Sequence, residues 1–162
     1  MCIRALLLGL VFLAACASKT PLADTRETPA AVAQAVIDAM TTGNRTALAS
    51  LAVSEQEFRE RVWPELPAAR PERNLPVSYV WGDLHQKSDA SLDALLARHR
   101  GQRYALADVR FGEVTPYQTY TVHRNSTFVV RGTDGTDVEV RLCGSMIEQN
   151  GRWKVFSYVV DE

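Results

Sequence analysis

The chain has 162 residues, 46% hydrophobic and 23% charged, with 18 Lys+Arg against 19 Asp+Glu and a formal net charge of -1. This composition excludes a disordered or collagen-like chain and allows about one globular domain. With the charges balanced and no long run of either sign, the basic footprint of a nucleic-acid binder is also missing.

The amino terminus points to a compartment. Met1 to Arg4 carry one positive side chain, and Ala5 to Ala15 (ALLLGLVFLAA) form an uncharged apolar run that ends at Cys16. A positive start, a short apolar run and small residues before a cut site are the layout of a secretory signal peptide, here residues 1–15. As a helix the run spans roughly 16 Å, about half a bilayer's hydrocarbon core, too short for a lasting transmembrane anchor. Leu13-Ala14-Ala15-Cys16 resembles the lipobox of bacterial lipoproteins. The resemblance implies a diacylglyceryl group on the Cys16 sulfur, cleavage before it, and a palmitate-type chain on the new amine. Ala17, where an aspartate would signal retention, implies export to the outer membrane, facing the periplasm. Membrane association through these acyl chains is thus the first expected partnership. Of three cysteines, Cys2 leaves with the leader and Cys16 is consumed by lipid, so Cys143 has no partner for a disulfide and reads as a small buried hydrophobe.

Residues 16–28 are expected to be the lipidated cysteine and a flexible tether, polar and without periodicity, reaching about 40 Å if extended. Residues 29–162 are expected to form a single domain. Thr28 as N-cap, Pro29 in the first helical position, and Val32, Ala33, Val36, Ala39 and Met40 on one face predict a helix ending at Gly43. Asn44 caps a short second helix with Leu48 and Leu51 inward. Ser54 and Glu57 form a capping box for a third segment carrying Phe58 and Val62, which Pro64 stops. The cluster Pro64, Pro67, Pro71 and Pro76 reads as a surface loop, because a domain boundary there would leave a first piece too small to bury a core. From Val77 the apolar positions Val80, Trp81, Leu84, Leu92, Leu95 and Leu96 follow a helical period, and Arg98, His99 and Arg100 place cations at the carboxyl-terminal dipole before Gly101.

The rest reads as strands over Tyr104–Phe111, Thr119–Val130, Val138–Ile147 and Trp153–Val160, with hairpin signals at Asp134-Gly135 and Asn150-Gly151. A two-residue turn at Asn150-Gly151 pairs Glu148 with Trp153, Met146 with Val155, Gly144 with Ser157 and Leu142 with Val159. One face then carries Trp153, Val155, Val159, Met146, Leu142, Val140 and Val138 as core. The other carries Phe156, Tyr158, Ile147 and Cys143 beside Lys154 and Arg141, a mixed face. Phe156, Tyr158 and Ile147 on it suggest a homodimer or an envelope partner, or cover from within the chain. Trp153, Val155, Met146, Leu142, Val80, Trp81, Leu84, Leu92, Leu95 and Val36 are expected to share one core.

Helices followed by an antiparallel meander, the ending GRWKVFSYVV at Gly151–Val160, and Gly144 in mid-strand resemble the cone-shaped, cystatin-like α+β fold of the nuclear transport factor 2-like superfamily. The resemblance implies amino-terminal helices packed on a curved sheet of about four strands, enclosing a pocket used for catalysis by ketosteroid isomerases and polyketide cyclases and for binding alone by other members.

Sequence motifs for phosphate binding, serine hydrolysis, zinc proteolysis and Cys-x-x-Cys chemistry are missing. Asp134, Asp137 and Glu139 lack a calcium-loop spacing, so neither metal nor cofactor is expected. Among the histidines, His99 reads as a helix-end cation, His85 as solvent-facing, and His123 as sharing the sheet face of Trp153 and Met146. Trp81, Tyr104 and His123 form the candidate pocket. An isomerase-type site needs a carboxylate base and a hydroxyl or protonated acid converging in an apolar pocket. Tyr79, Tyr104 or Tyr120 can supply the hydroxyl, but strand parity places no carboxylate inward. Binding of a small apolar ligand or an envelope partner without catalysis is therefore expected, with a lyase or isomerase of the ketosteroid isomerase/polyketide cyclase type as the alternative.

Overall fold

The computed structural model describes residues 21–132 and 135–160. The leader, Cys16 and Asp134 lie outside the described residues. No helix among the described residues is long and apolar enough to cross a membrane.

Local signals set the helices. Helix α1 (Pro29–Thr42) opens with the Thr28 hydroxyl accepting from the Ala31 N–H and closes at Gly43, whose φ of 69° fits a left-handed cap. It buries Val32, Ala33, Val36, Ile37, Ala39 and Met40. Helix α2 (Arg45–Leu51) is capped by Asn44, and α3 (Glu55–Glu57) by the Ser54/Glu57 capping box. A π-helical turn (Phe58–Val62) continues α3, and three short 3-10 turns carry the proline cluster as a loop. Helix α4 (Val77–His99) then runs for 23 residues and buries only Leu92 and Leu95.

Seven strands follow: β1 (Ala105–Arg110), β2 (Glu113–Pro116), β3 (Thr121–Arg124), β4 (Thr127–Arg131), β5 (Asp137–Val140), β6 (Ser145–Gln149) and β7 (Arg152–Ser157). They form two antiparallel sheets, ordered β1-β4-β5 and β2-β3-β6-β7. Two of the four strands expected from sequence are each bent into two at one shared corner, at Asn125-Ser126 and over Arg141–Gly144. The first, expected to end at Phe111, turns at the same corner through Phe111-Gly112 into β2, a strand that the sequence reading did not expect. Hydrogen bonds across the corner tie the bends together, from Gly112 N to Arg124 O (3.0 Å) and from Ser126 N to Gly144 O (3.1 Å). Asn125, with φ of 52°, supplies the left-handed residue that turns its strand from one sheet into the other. The fold is therefore α+β, a curved meander with amino-terminal helices packed on it.

The hairpin register holds near its turn, with Glu148 opposite Trp153 and Met146 opposite Val155. A bulge between Ser145 and Met146 then sets Ser145, not Gly144, opposite Ser157, and β7 ends before Val159 can meet Leu142. This slip moves Tyr158 and Cys143, assigned from parity to the mixed face, into the main core with Met146 and Leu142. Val138, assigned to the core face, is exposed on β5.

The expected single core is two clusters. The main one joins α1, α2 and the second half of α4 to the concave side through Val36, Leu92, Leu95, Phe128, Leu142, Met146, Val155 and Tyr158, with Trp153 half-buried against it. The second covers the outer face of β3, β6 and β7, where Phe58, Val62 and Leu22 lie on Val122 and Ile147, and Val80, Trp81, Leu84 and Phe156 pack half-buried. The mixed face is thus covered from within the chain. Ile147 and Tyr158 are each only 1% exposed, so a contact with another chain through Phe156, Tyr158 and Ile147 requires that cover to open.

The tether also differs from expectation. Arg26 pairs with Trp153 as an antiparallel bridge, N to O at 2.8 and 2.7 Å in the two directions. Lys154 Nζ donates to Ala23 O at 2.9 Å, Ala23 N donates to Glu57 Oε1 at 2.8 Å, and Leu22 is buried. From Leu22 onward the segment is a strap belonging to the domain. It pairs with the edge of β7 at Trp153, and Val53 N donates to Val155 O (2.9 Å) further along, so that this edge does not offer a row of unpaired backbone groups.

Candidate functional site

The three residues expected to line one pocket lie in three separate surroundings. Trp81 sits on α4 above the outer sheet face, its ring 5.2 Å from Phe58 and stacked on His85 at 5.3 Å. Tyr104 precedes β1 and places its hydroxyl 2.8 Å from His99 Nδ1. His123 lies on β3 with its ring 4.5 Å from Trp153 and 4.9 Å from Phe111, and Phe111 stacks on Trp153 at 5.9 Å. Parity thus placed His123 on the correct face, beside Met146 and Trp153. It missed Phe111, which the corner swings over the histidine.

His123 is the titratable group on the concave side closest to the description of a catalytic one. Its Nδ1 is buried with no partner among the described residues. Burial pushes its pKa below the ordinary histidine value, outweighing the opposite pull of Glu148. Phe111 and Trp153 enclose the imidazole, and among the described residues no hydrogen bond joins it to a carboxylate or a hydroxyl.

The tyrosines are committed elsewhere. Tyr120 donates to Val62 O at 3.0 Å and Tyr158 to Leu48 O at 2.6 Å, and burial raises both pKa values so that the hydroxyls stay protonated. Tyr79 is 68% exposed on α4. His99, expected as a helix-end cation, is half-buried. Burial first, and Arg98 second, lower its pKa, and its Nδ1 shares a hydrogen bond with the Tyr104 hydroxyl. Cys143 is buried, and burial pushes its thiol up to about 12, leaving it an unreactive hydrophobe, as its pattern implied.

Carboxylates are scarce inside. The buried polar or charged residues are Arg61, Ser126, Ser145, Lys154 and Ser157, with no Asp or Glu among the described residues. Glu57, with its side chain 12% exposed, comes near, but it is held by Lys154 Nζ at 3.0 Å and by the backbone N–H groups of Ser54 and Ala23. Burial alone would raise its pKa; those two N–H donors and Lys154 together lower it. Nothing in this arrangement presents a base to a substrate.

Open space lies outside the concave core, along α4. A cleft of about 710 Å³ separates the second half of α4 from β5, with Leu95, Val140 and Val160 as apolar floor and Arg98, Arg141 and Glu139 at the rim. Two smaller clefts, about 420 and 300 Å³, flank the first half of α4, and Leu84 and Phe156 line both. The walls of the 710 and 420 Å³ clefts are mainly apolar with a few polar groups, which suits binding, whereas the 300 Å³ cleft is about as polar as apolar. Sequence patterning could not show these clefts, because each is bounded by elements far apart in the chain. Compared with protein-family models, with curated proteins and with solved structures, the chain matches none.

Proposed function

We propose that the chain is a bacterial envelope lipoprotein, anchored in the outer membrane by acyl chains on Cys16, whose periplasm-facing domain of the nuclear transport factor 2-like type binds a small apolar ligand or an envelope partner without catalysis. The anchor rests on the leader and Leu13-Ala14-Ala15-Cys16. The observation that favours binding over chemistry is the filling of the concave side. Leu142, Cys143, Met146, Val155 and Tyr158 pack there against α1, where a catalytic domain of this type needs an open pocket with an acid in it. The clefts beside α4 offer the accessible apolar surface instead.

Two measurements test the reading. Labelling with radioactive palmitate in a bacterial host should mark the wild type, and Cys16→Ser should lose both the label and the membrane fraction. An unlabelled wild type whose intact mass begins before Cys16 overturns the anchor. Native mass spectrometry of the detergent-extracted protein should show a retained apolar molecule or a partner. Turnover of an isomerase or dehydratase substrate that disappears in His123→Ala overturns the non-catalytic role.

A further inference from the structure

The geometry points to a domain that the chain holds against the lipid surface in one orientation, with the strap side toward the headgroups. The inference rests on the proposed acylation of Cys16 and adds to it a surface and a partner, the bilayer itself.

A tether running to residue 28 would let the domain turn over freely. Here the strap is fastened: Arg26 is bridged to Trp153, Ala23 is held by Lys154 and Glu57, Arg152 donates to Thr25, and Leu22 is buried with Phe58 and Val62. Six peptide steps from Cys16 to Leu22 remain, a reach of at most about 20 Å. Helix α4 serves as a ruler for the domain. Trp81 touches Phe58 in the cluster that takes Leu22, whereas His99 at the other end adjoins the loop whose Gly101 and Gln102 bond to Thr41. From Trp81 to His99 the helix rises about 27 Å. A domain resting on its Gln102 end would carry Leu22 farther from the bilayer than the remaining chain can span. The inverted orientation is thus excluded, and the surface next to Pro21 is kept on the lipid side of the domain. That surface includes Asp24, Ser50, Gln56 and Glu60, which share a cleft with Pro21 and Ala23.

The clamp that shortens the leash is the Lys154–Glu57 pair, with the lysine side chain 3% exposed. Undocking the strap up to Thr28 would lengthen the reach to about 40 Å and permit inversion.

The test uses the acylated full chain, purified from a bacterial envelope and reconstituted into phosphatidylethanolamine/phosphatidylglycerol vesicles containing a headgroup nitroxide lipid. A fluorophore is attached at Gln56→Cys or at Gln102→Cys, both exposed positions; the buried Cys143 does not compete. Quenching at position 56 is expected to exceed that at position 102 several-fold. Inserting about twelve Gly/Ser residues after Lys19 should bring the two values together, because a coil of that length removes the constraint without touching the domain. Equal quenching at both positions with the native leash, on protein that mass spectrometry shows to be acylated, overturns the orientation while leaving the lipoprotein reading intact. A preference for position 56 that survives the insertion overturns the leash as its cause. Protein that carries no acyl chain overturns the lipoprotein reading, and the orientation falls with it.

Discussion

Gly144→Ala is expected to be costly although it adds a single methyl group. A Cβ built on Gly144 overlaps the carbonyl oxygen of Val159 and comes within 2.6 Å of its carbonyl carbon. Ordinary carbon contacts need about 3.5 to 4.0 Å. One backbone must therefore move by roughly 1 Å or more, and both are held. Gly144 N donates to Ser157 O, and Tyr158 N and Val160 N donate to the Ser88 and Ser91 hydroxyls of α4. If the carboxyl-terminal segment peels away, it takes the buried Tyr158 ring with it; a tyrosine of about 150 to 250 Å² at about 25 cal/mol per Å² corresponds to roughly 4 to 6 kcal/mol. If the strain is spread among neighbours, overpacking costs about 1 to 3 kcal/mol. A loss of roughly 3 kcal/mol is expected, opposite in sign to the gain of about 0.4 to 1 kcal/mol for an unstrained Gly→Ala change. Urea unfolding of a soluble chain beginning at Lys19, followed by circular dichroism, measures it. A loss below about 1 kcal/mol with an unchanged denaturant slope would refute the crossing of residues 144 and 159.

Tyr158→Phe keeps the ring but removes the buried donor to Leu48 O, and should cost about 1 to 2 kcal/mol in the same unfolding assay. Glu57 has a folded pKa below its ordinary value, so its contribution is present above the ordinary carboxylate range and is lost as pH falls through the lower folded value. Glu57→Gln should therefore reduce stability more at pH 7 than at pH 3, and parallel curves for the two proteins across that range would contradict the clamp. His123 should titrate below the ordinary histidine value of 6.5 when followed by NMR of its ring protons, and Phe111→Ala, which admits water, should move the midpoint back up. With its folded pKa depressed, its contribution is present above the ordinary value and declines as pH falls below it.

The caps, helix limits and hairpin turn were legible because each is written in a few neighbouring residues, as at Thr28-Pro29, Ser54-Glu57 and Asn150-Gly151. The strand breaks were not. Asn125 turns its strand through a left-handed conformation that no alternation pattern signals, and Gly144 matters because of a backbone 15 residues away. Every parity assignment short of the bulge held, including His123 beside Met146, and those beyond it at Cys143 and Tyr158 were inverted. The candidate pocket dispersed because Trp81, Tyr104 and His123 belong to different layers. The strap was invisible because Leu22–Glu27 carries no periodicity and finds its partner strand only near the other end of the chain.

That pairing also sets when the protein can finish folding. Thr25 and Arg152, joined by hydrogen bonds, stand 127 residues apart. As the chain emerges from the ribosome, the strap is made well before the strand that it pairs with and waits for it. Closing so long a loop is entropically slow and gains nothing until β7 exists. A chain interrupted before Arg152 leaves Leu22, Val53 and the apolar side of β6 uncovered together, a sticky intermediate for chaperones and proteases to find. The strap side of the domain is thus completed only when β7 has joined the strap that precedes it by more than a hundred residues.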